Sequence, residues 1–159
     1  SNISKCVNLK HLSCCYNNII NLDVSNLHKL TYFECSNNNI TNLDISNLHK
    51  LTHFECYYNN ITNLDISNNV DLIHLNCGYN NISNMDLSKN TRLEYLIYNN
   101  NNITHLDTSK NINLICIDCS NNGIINIDTT QNTDLSHLRC DNNKIIDLDV
   151  TKNINGLFI

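Results

Sequence analysis

The sequence predicts a solenoid of stacked, similar turns, built on one parallel β-sheet and poor in helix. Three observations carry that prediction. Leucine recurs every 21 residues, at Leu9, Leu30, Leu51, Leu72, Leu93, Leu114 and Leu135. The residues between repeat with it, in the frame L-x-x-L-x-C-x-x-N-x-I-x-x-L-D-x-S followed by four looser positions. The second half of the frame carries turn punctuation instead of an apolar stripe at helical spacing. A fixed period of this length marks a repeat architecture, in which each unit buries its apolar face only against its neighbours. The 159 residues form one domain, 1–159, of about seven copies with a part-copy at each end.

Each copy opens on a period-two segment around L-x-C, which reads as a short strand. Stacking sets these strands side by side, so that Leu12, Phe33, Phe54, Leu75, Leu96, Ile117 and Leu138 make one buried column. Cys14, Cys35, Cys56, Cys77, Cys119 and Cys140 make the next. One thiol per turn on one face reads as a line of small buried hydrophobes, since a disulfide framework would show paired spacings. Metal ligands must converge, whereas neighbours in this line are one strand spacing, roughly 4.8 Å, apart. Tyr98 replaces cysteine in one copy and Asn99 to Asn102 follow it, so a bulge or an outward Tyr98 is expected there.

The corner after the strand holds an invariant asparagine, from Asn17 and Asn38 to Asn143, whose amide suits it to satisfy backbone groups of its own and adjacent turns. Isoleucine (Ile19, Ile40, Ile61 to Ile145) and leucine-type columns (Leu22, Leu43, Leu64, Met85, Leu106, Ile127, Leu148) follow. About ten residues then remain for the return, which fits turns, extended segments or 3-10 pieces on the convex side. A second narrow sheet at L-D-[VIL] stays open, because those positions also alternate. The Asp column, Asp23 to Asp149, is expected to close Asx turns with the Ser or Thr two residues on. Cation binding and mimicry of a phosphate backbone are the alternatives for that row.

Leu30, Phe33, Cys35, Asn38 and Ile40 occupy the pattern LxxLxLxxNxL, and the neighbouring copies match it almost throughout. In this the chain resembles the leucine-rich repeat family. Its 21-residue length and LDxS half are similar to the short bacterial-type and viral-type repeats of that family. The resemblance covers essentially the whole chain. It implies a parallel sheet on the concave side and no particular activity, because members bind many different partners.

Asparagine exceeds a fifth of the residues, and Pro, Trp and Ala are absent. The periodic apolar residues set this apart from a disordered polar tract. The net charge of −5, with only 10 unclustered Lys and Arg, argues against nucleic acid. No apolar run is long enough to span a bilayer, so no membrane insertion is expected. Reduced thiols favour the cytoplasm, a host's if the source is a virus or phage. The sequons at Asn39, Asn60, Asn81 and Asn102 point the same way, away from a eukaryotic secretory route. Exposure at a cell surface is expected instead if the repeats belong to a longer bacterial protein.

Function is sought where the copies differ. Between the inward residues of the strands lie His11, Tyr32, His53, His74, Tyr95, Cys116 and His137, then Ser13, Glu34, Glu55, Asn76, Ile97, Asp118 and Arg139. A third column, Cys15, Ser36, Tyr57, Gly78, Asn99, Ser120 and Asp141, is flanked by Tyr16, Tyr58 and Tyr79. Tyrosine offers stiff contact area with a polar tip. The expected site is therefore a concave protein-binding face of Tyr32, Glu34, His53, Glu55, Tyr57, His74, Tyr95 and His137. Cys116 with His137 imitates a Cys–His dyad, but no oxyanion hole or Gly-rich loop accompanies it, so no catalytic residue and no cofactor are expected. His53, His74 and Glu55 have zinc-binding side chains on strands too loosely placed for a metal site. The expected role is a protein-interaction module, such as an inhibitor from a pathogen or phage. The alternatives are the repeat segment of an internalin-like surface protein and an acidic decoy of a nucleic-acid-binding protein. The part-copies at the ends invite end-to-end self-association.

Overall fold

A computed structural model describes residues 2–153 and 158. Seven strands of three residues, β1 (His11–Ser13), β2 (Tyr32–Glu34), β3 (His53–Glu55), β4 (His74–Asn76), β5 (Tyr95–Ile97), β6 (Cys116–Asp118) and β7 (His137–Arg139), form one parallel sheet in chain order. Every pair keeps the 21-residue register, Leu12 with Phe33 at one end and Ile117 with Leu138 at the other. The middle residue of each strand is buried and its two neighbours are not, which is the period-two pattern of a half-covered sheet. The fold is therefore the expected solenoid. A 3-10 segment, Asn2–Lys5, is the one helical piece among the described residues, and no helix is long and apolar enough to cross a membrane.

The return half consists of turns. Leu27 N–H donates to the Val24 carbonyl at 2.9 Å and Leu30 N–H to the Leu27 carbonyl at 3.0 Å, and the same pair of bonds recurs in the later copies. Just before them, the Asp23 carboxylate accepts the Ser25 N–H at 3.0 Å. The corresponding bond is 2.9 Å from Asp44 through Asp149. These local bonds close the turn at the end of L-D-[VIL] and take the Val24-type carbonyl that a second ladder would use. L-D-[VIL] accordingly carries no strand among the described residues, and the second narrow sheet does not form.

Two lines of asparagine tie the turns together. The first is the expected one. Asn59 donates through Nδ2 to the carbonyls of Cys35 (3.0 Å) and Cys56 (3.1 Å), and its Oδ1 accepts the Ile40 N–H at 2.9 Å. Asn38, Asn80, Asn101, Asn122 and Asn143 repeat this arrangement. The second line lies in the return half, where Asn69, Asn90, Asn111, Asn132 and Asn153 occupy the buried position held by Leu27 and Leu48 in earlier copies. Asn90 Nδ2, for instance, donates to the carbonyls of Ile66 (3.0 Å) and Asn69 (2.9 Å). Its Oδ1, like those of Asn69 and Asn111, is buried with no hydrogen-bond partner among the described residues. In the last two copies a threonine solves this. Thr108 Oγ1 donates to Asn132 Oδ1 at 3.0 Å, and Thr129 Oγ1 to Asn153 Oδ1 at 2.8 Å.

The core fills the space between. Phe33 and Phe54 stack with centroids 5.3 Å apart, and Leu75, Leu96, Ile117 and Leu138 continue their column. All nine cysteines are free, and Cys35, Cys56, Cys77 and Cys119 are buried. Burial pushes the Cys77 and Cys119 thiols up to about 12, which makes them inert fillers. Tyr98 departs from expectation: it neither bulges nor turns outward but is fully buried in the thiol column. The ladder runs on through it, with Tyr98 N–H donating to the Asp118 carbonyl at 2.9 Å. Small thiols on either side, Cys77 and Cys119, leave room for the ring. Its hydroxyl lacks a partner of normal geometry, and burial, with the Cys119 thiol beside it, drives the phenol far above its ordinary range. Ser1, residues 154–157 and Ile159 lie outside the described residues, and with them the expectation about the part-copies at the ends.

Candidate binding face

The strand register decides what the concave face looks like. Because residues 21 apart are paired, the side chains of the first variable column stand one above another at strand spacing. His11 and Tyr32 stack with centroids 4.1 Å apart and ring planes 13° apart. Tyr32 to His53 (5.7 Å), His53 to His74 (5.9 Å) and His74 to Tyr95 (5.9 Å) continue the pile. Five rings thus run unbroken across β1 to β5. Cys116 interrupts them, and His137 stands beyond the gap, 6.2 Å from the Phe158 ring.

Beside this pile, Glu34 and Glu55 are paired on adjacent strands. The Tyr32 hydroxyl donates to Glu34, which pushes that phenol up to about 12. Glu55 lies 3.4 Å from His74 Nε2. This contact is not an ion pair at neutral pH. Burial, with His53 alongside, holds His74 below the ordinary imidazole range, so the ring is uncharged at pH 7. Burial and the neighbouring Glu34 push Glu55 up. Among the described residues neither glutamate has a Lys or Arg partner, whereas Asp118 at the other end has Arg139 at 3.7 Å.

The edge of the face is set by an unusual backbone position. Tyr16, Asn37, Tyr58, Tyr79, Asn100, Asn121 and Asn142 all adopt φ between 51° and 55°. Asparagine tolerates this left-handed conformation; an aromatic side chain rarely takes it. The three tyrosines are exposed, Tyr16 at 76%, Tyr58 at 47% and Tyr79 at 40%. Tyr58 and Tyr79 stack at 4.0 Å, and Tyr57 meets Tyr58 edge-on at 5.8 Å. Tyr57 is also held against the Tyr16 hydroxyl, which pushes its phenol up to about 12.

The chain superposes on solved structures of the same architecture. It is 35% identical to the functional domain of InlJ from Listeria monocytogenes, which includes a cysteine ladder, at a TM-score of 0.80 over 96% of this chain and 39% of that one. It is 27% identical to an internalin (inlF) of Listeria monocytogenes, at a TM-score of 0.89 over 98% and 48%. A leucine-rich repeat protein of Leptospira interrogans shares the fold at 22% identity, with a TM-score of 0.90 over 97% and 43%. The chain has the leucine-rich repeat fold. No family model matches the sequence, and no curated protein matches it. This leucine-rich repeat chain spans less than half the length of each of these three structures.

The eight residues expected on the binding face do share one face of the leucine-rich repeat sheet. Tyr32, Glu34, His53, Glu55, Tyr57 and His74 are half-buried and contiguous; Tyr95 is exposed at the end of the ring pile. His137 is exposed and separated from them by Cys116. The dyad chemistry is disfavoured, since burial and then Asp118 push the Cys116 thiol up, opposite to an activated nucleophile. His137 Nδ1 instead sits 2.9 Å from the Ser136 hydroxyl. His53 and His74 stack on their neighbours, and among the described residues no group of three His, Cys, Asp or Glu is placed to hold a metal. Sequence reasoning treated Tyr16, Tyr58 and Tyr79 only as flanks. Their signal was visible: they stand in a column that is otherwise asparagine.

Proposed function

We propose that this chain is a protein-interaction module that holds a partner protein on its concave face, through Tyr32, Glu34, His53, Glu55, Tyr57, His74, Tyr95 and His137. The observation that carries the reading is the unbroken pile of five rings from His11 to Tyr95 beside two carboxylates without a basic partner. Stacked rings on a regular sheet are held stiffly, so they give contact area at little entropic cost. The likeness to internalins supports a setting as the repeat segment of a longer bacterial surface protein. The free thiols no longer weigh for the cytoplasm, because burial alone keeps Cys35, Cys56, Cys77 and Cys119 unreactive.

Capture from cells that the source organism meets, with Tyr32→Ala/Tyr57→Ala/Tyr95→Ala as control, tests the reading. Partner retention is expected to fall at least tenfold in the triple variant and to be unchanged in Asp44→Asn/Asp65→Asn. Retention that follows the aspartates and collapses in high salt would favour the acidic decoy instead.

A further inference from the structure

The N-terminal end of the concave face holds a recess of about 510 Å³, lined chiefly by Ser13, Cys15, Tyr16, Glu34, Glu55 and Tyr57. We propose that this recess receives an arginine side chain from an extended basic segment of the partner protein, seated between Tyr16 and Tyr57 over the Glu34 and Glu55 carboxylates. The proposal rests on the binding-face reading and names the chemistry of its occupant.

Charge complementarity is the first argument. Glu34 and Glu55 are paired on adjacent strands, one strand spacing apart, with no Lys or Arg partner among the described residues. Their neighbours are the Tyr32 hydroxyl and an uncharged His74. An arriving guanidinium neutralises both carboxylates through charge-assisted hydrogen bonds while its plane packs on phenol rings. Arginine suits this better than lysine, because its flat fork meets a carboxylate in two places and stacks. A neutral or acidic partner would leave the pair uncompensated.

Two unsatisfied groups mark the same place. Ser36 lies between Cys15 and Tyr57 in the third column, fully buried as Ser120 is, and its hydroxyl has no hydrogen-bond partner among the described residues. Asn37 Nδ2, in the next position, is buried and equally unpartnered. Buried polar atoms are paired in the great majority of cases, and Ser120, at the same place in a later turn, donates to the Asp118 carboxylate at 2.7 Å where Ser36 has no such partner. The backbone agrees: Tyr16 occupies the left-handed position that asparagine fills at Asn37, Asn100, Asn121 and Asn142. Conformational strain of this kind persists where the side chain has a use.

Binding of fluorescein-labelled (Arg-Ser)5 to the chain, followed by anisotropy at physiological salt with (Gln-Ser)5 as control, tests the proposal. The recess is altered with residues that the repeat itself uses at the same places, Tyr16→Asn with Tyr57→Ser, so folding is retained. Its charge is removed separately with Glu34→Gln/Glu55→Gln. (Arg-Ser)5 is expected to bind and (Gln-Ser)5 not to. Each double variant should weaken binding at least tenfold, and Asp44→Asn/Asp65→Asn on the convex side should change it less than twofold. Equal losses in all three variants would reduce the effect to diffuse charge and overturn the proposal. So would binding of maltohexaose that is lost in Tyr16→Asn/Tyr57→Ser while (Arg-Ser)5 fails to bind, which would make the recess a sugar site. A captured partner that needs Tyr32 and Tyr95 but tolerates Glu34→Gln/Glu55→Gln and is not displaced by (Arg-Ser)5 ends this proposal and leaves the binding face standing. Capture indifferent to Tyr32, Tyr57 and Tyr95 ends both.

Discussion

Between β1 and β3 the buried turn positions are leucine (Leu27, Leu48), and each leads into a strand whose core is phenylalanine (Phe33, Phe54). The exposed tyrosines, Tyr16, Tyr58, Tyr79 and Tyr95, all fall in the first five turns. From Asn69 onward the turn position is asparagine, the strand core is leucine or isoleucine, and the left-handed position reverts to asparagine from Asn100. The backbone path is the same in both regions. The turn position is closed by apolar packing in the first region and by an amide ladder in the second, while the aromatic face runs across both as far as Tyr95. The difference teaches that a repeat backbone specifies a pattern of hydrogen bonds and volumes, which more than one set of side chains can meet.

The sharpest way to test that view is to compare the two asparagine lines. Asn59→Leu removes three good bonds and strands the Ile40 N–H, and should cost about 3–5 kcal/mol of unfolding free energy in urea titrations. Asn69→Leu imports the residue found at Leu27 and Leu48 and removes an unpartnered buried Oδ1 while giving up two donated bonds. It should fall within about 1 kcal/mol of the parent. Equal losses would mean that the two regions are not interchangeable after all.

The threonines of the C-terminal region offer a second test. Thr108→Val strands Asn132 Oδ1 and should cost about 1–2 kcal/mol, seen as a fall in Tm of about 2–4 °C per kcal/mol. Carrying the device upstream, Ile66→Thr should be at least as stable as Ile66→Val, because the hydroxyl reaches the orphaned Asn90 Oδ1. A buried threonine that loses to valine there would break the argument.

Smaller still is the effect at the left-handed position. Tyr16→Asn, Tyr58→Asn and Tyr79→Asn should each raise stability by a few tenths to about 1 kcal/mol, the relief of an aromatic residue at positive φ. Any loss of binding in these variants would then occur without loss of fold.

Acid should separate the regions least. Hydrogen bonds from the residue two places on hold the carboxyls from Asp23 to Asp149 below their ordinary range. Their contribution is present above the unfolded value of 3.8 and is lost as the pH falls through the folded values. That limb belongs to both regions alike. His74, held down by burial, adds a loss confined to the aromatic face, beginning as the pH drops below 6.5. His74→Tyr, the residue of Tyr32 and Tyr95, should flatten melts between pH 7 and 5 and leave the acid limb below pH 4 unchanged.

The period made most of the fold legible in advance: seven strands, their register, the thiol column, the first asparagine line and the aspartate turns all follow from residues 21 apart being neighbours. What escaped was set by size and partner rather than by period. The change from Leu48 to Asn69 falls in the four looser positions of the frame, and its partners are carbonyls of the preceding turn, which leave no residue signature. Tyr98 looked too large for its column, and only the smallness of Cys77 and Cys119 shows why it fits. On the binding face, the columns were readable, but the neutrality of His74 and the missing counter-ions of Glu34 and Glu55 depend on burial and distance. Those are properties of the assembled sheet.

The left-handed position has one more consequence. It accepts asparagine in four turns and tyrosine in three, and the concave column beside it is drawn largely from histidine and tyrosine. The codons for asparagine, tyrosine, histidine and aspartate differ only in their first base. A lineage carrying this chain can therefore redraw its outward surface by single nucleotide substitutions, turn by turn, while the ladder beneath keeps its course.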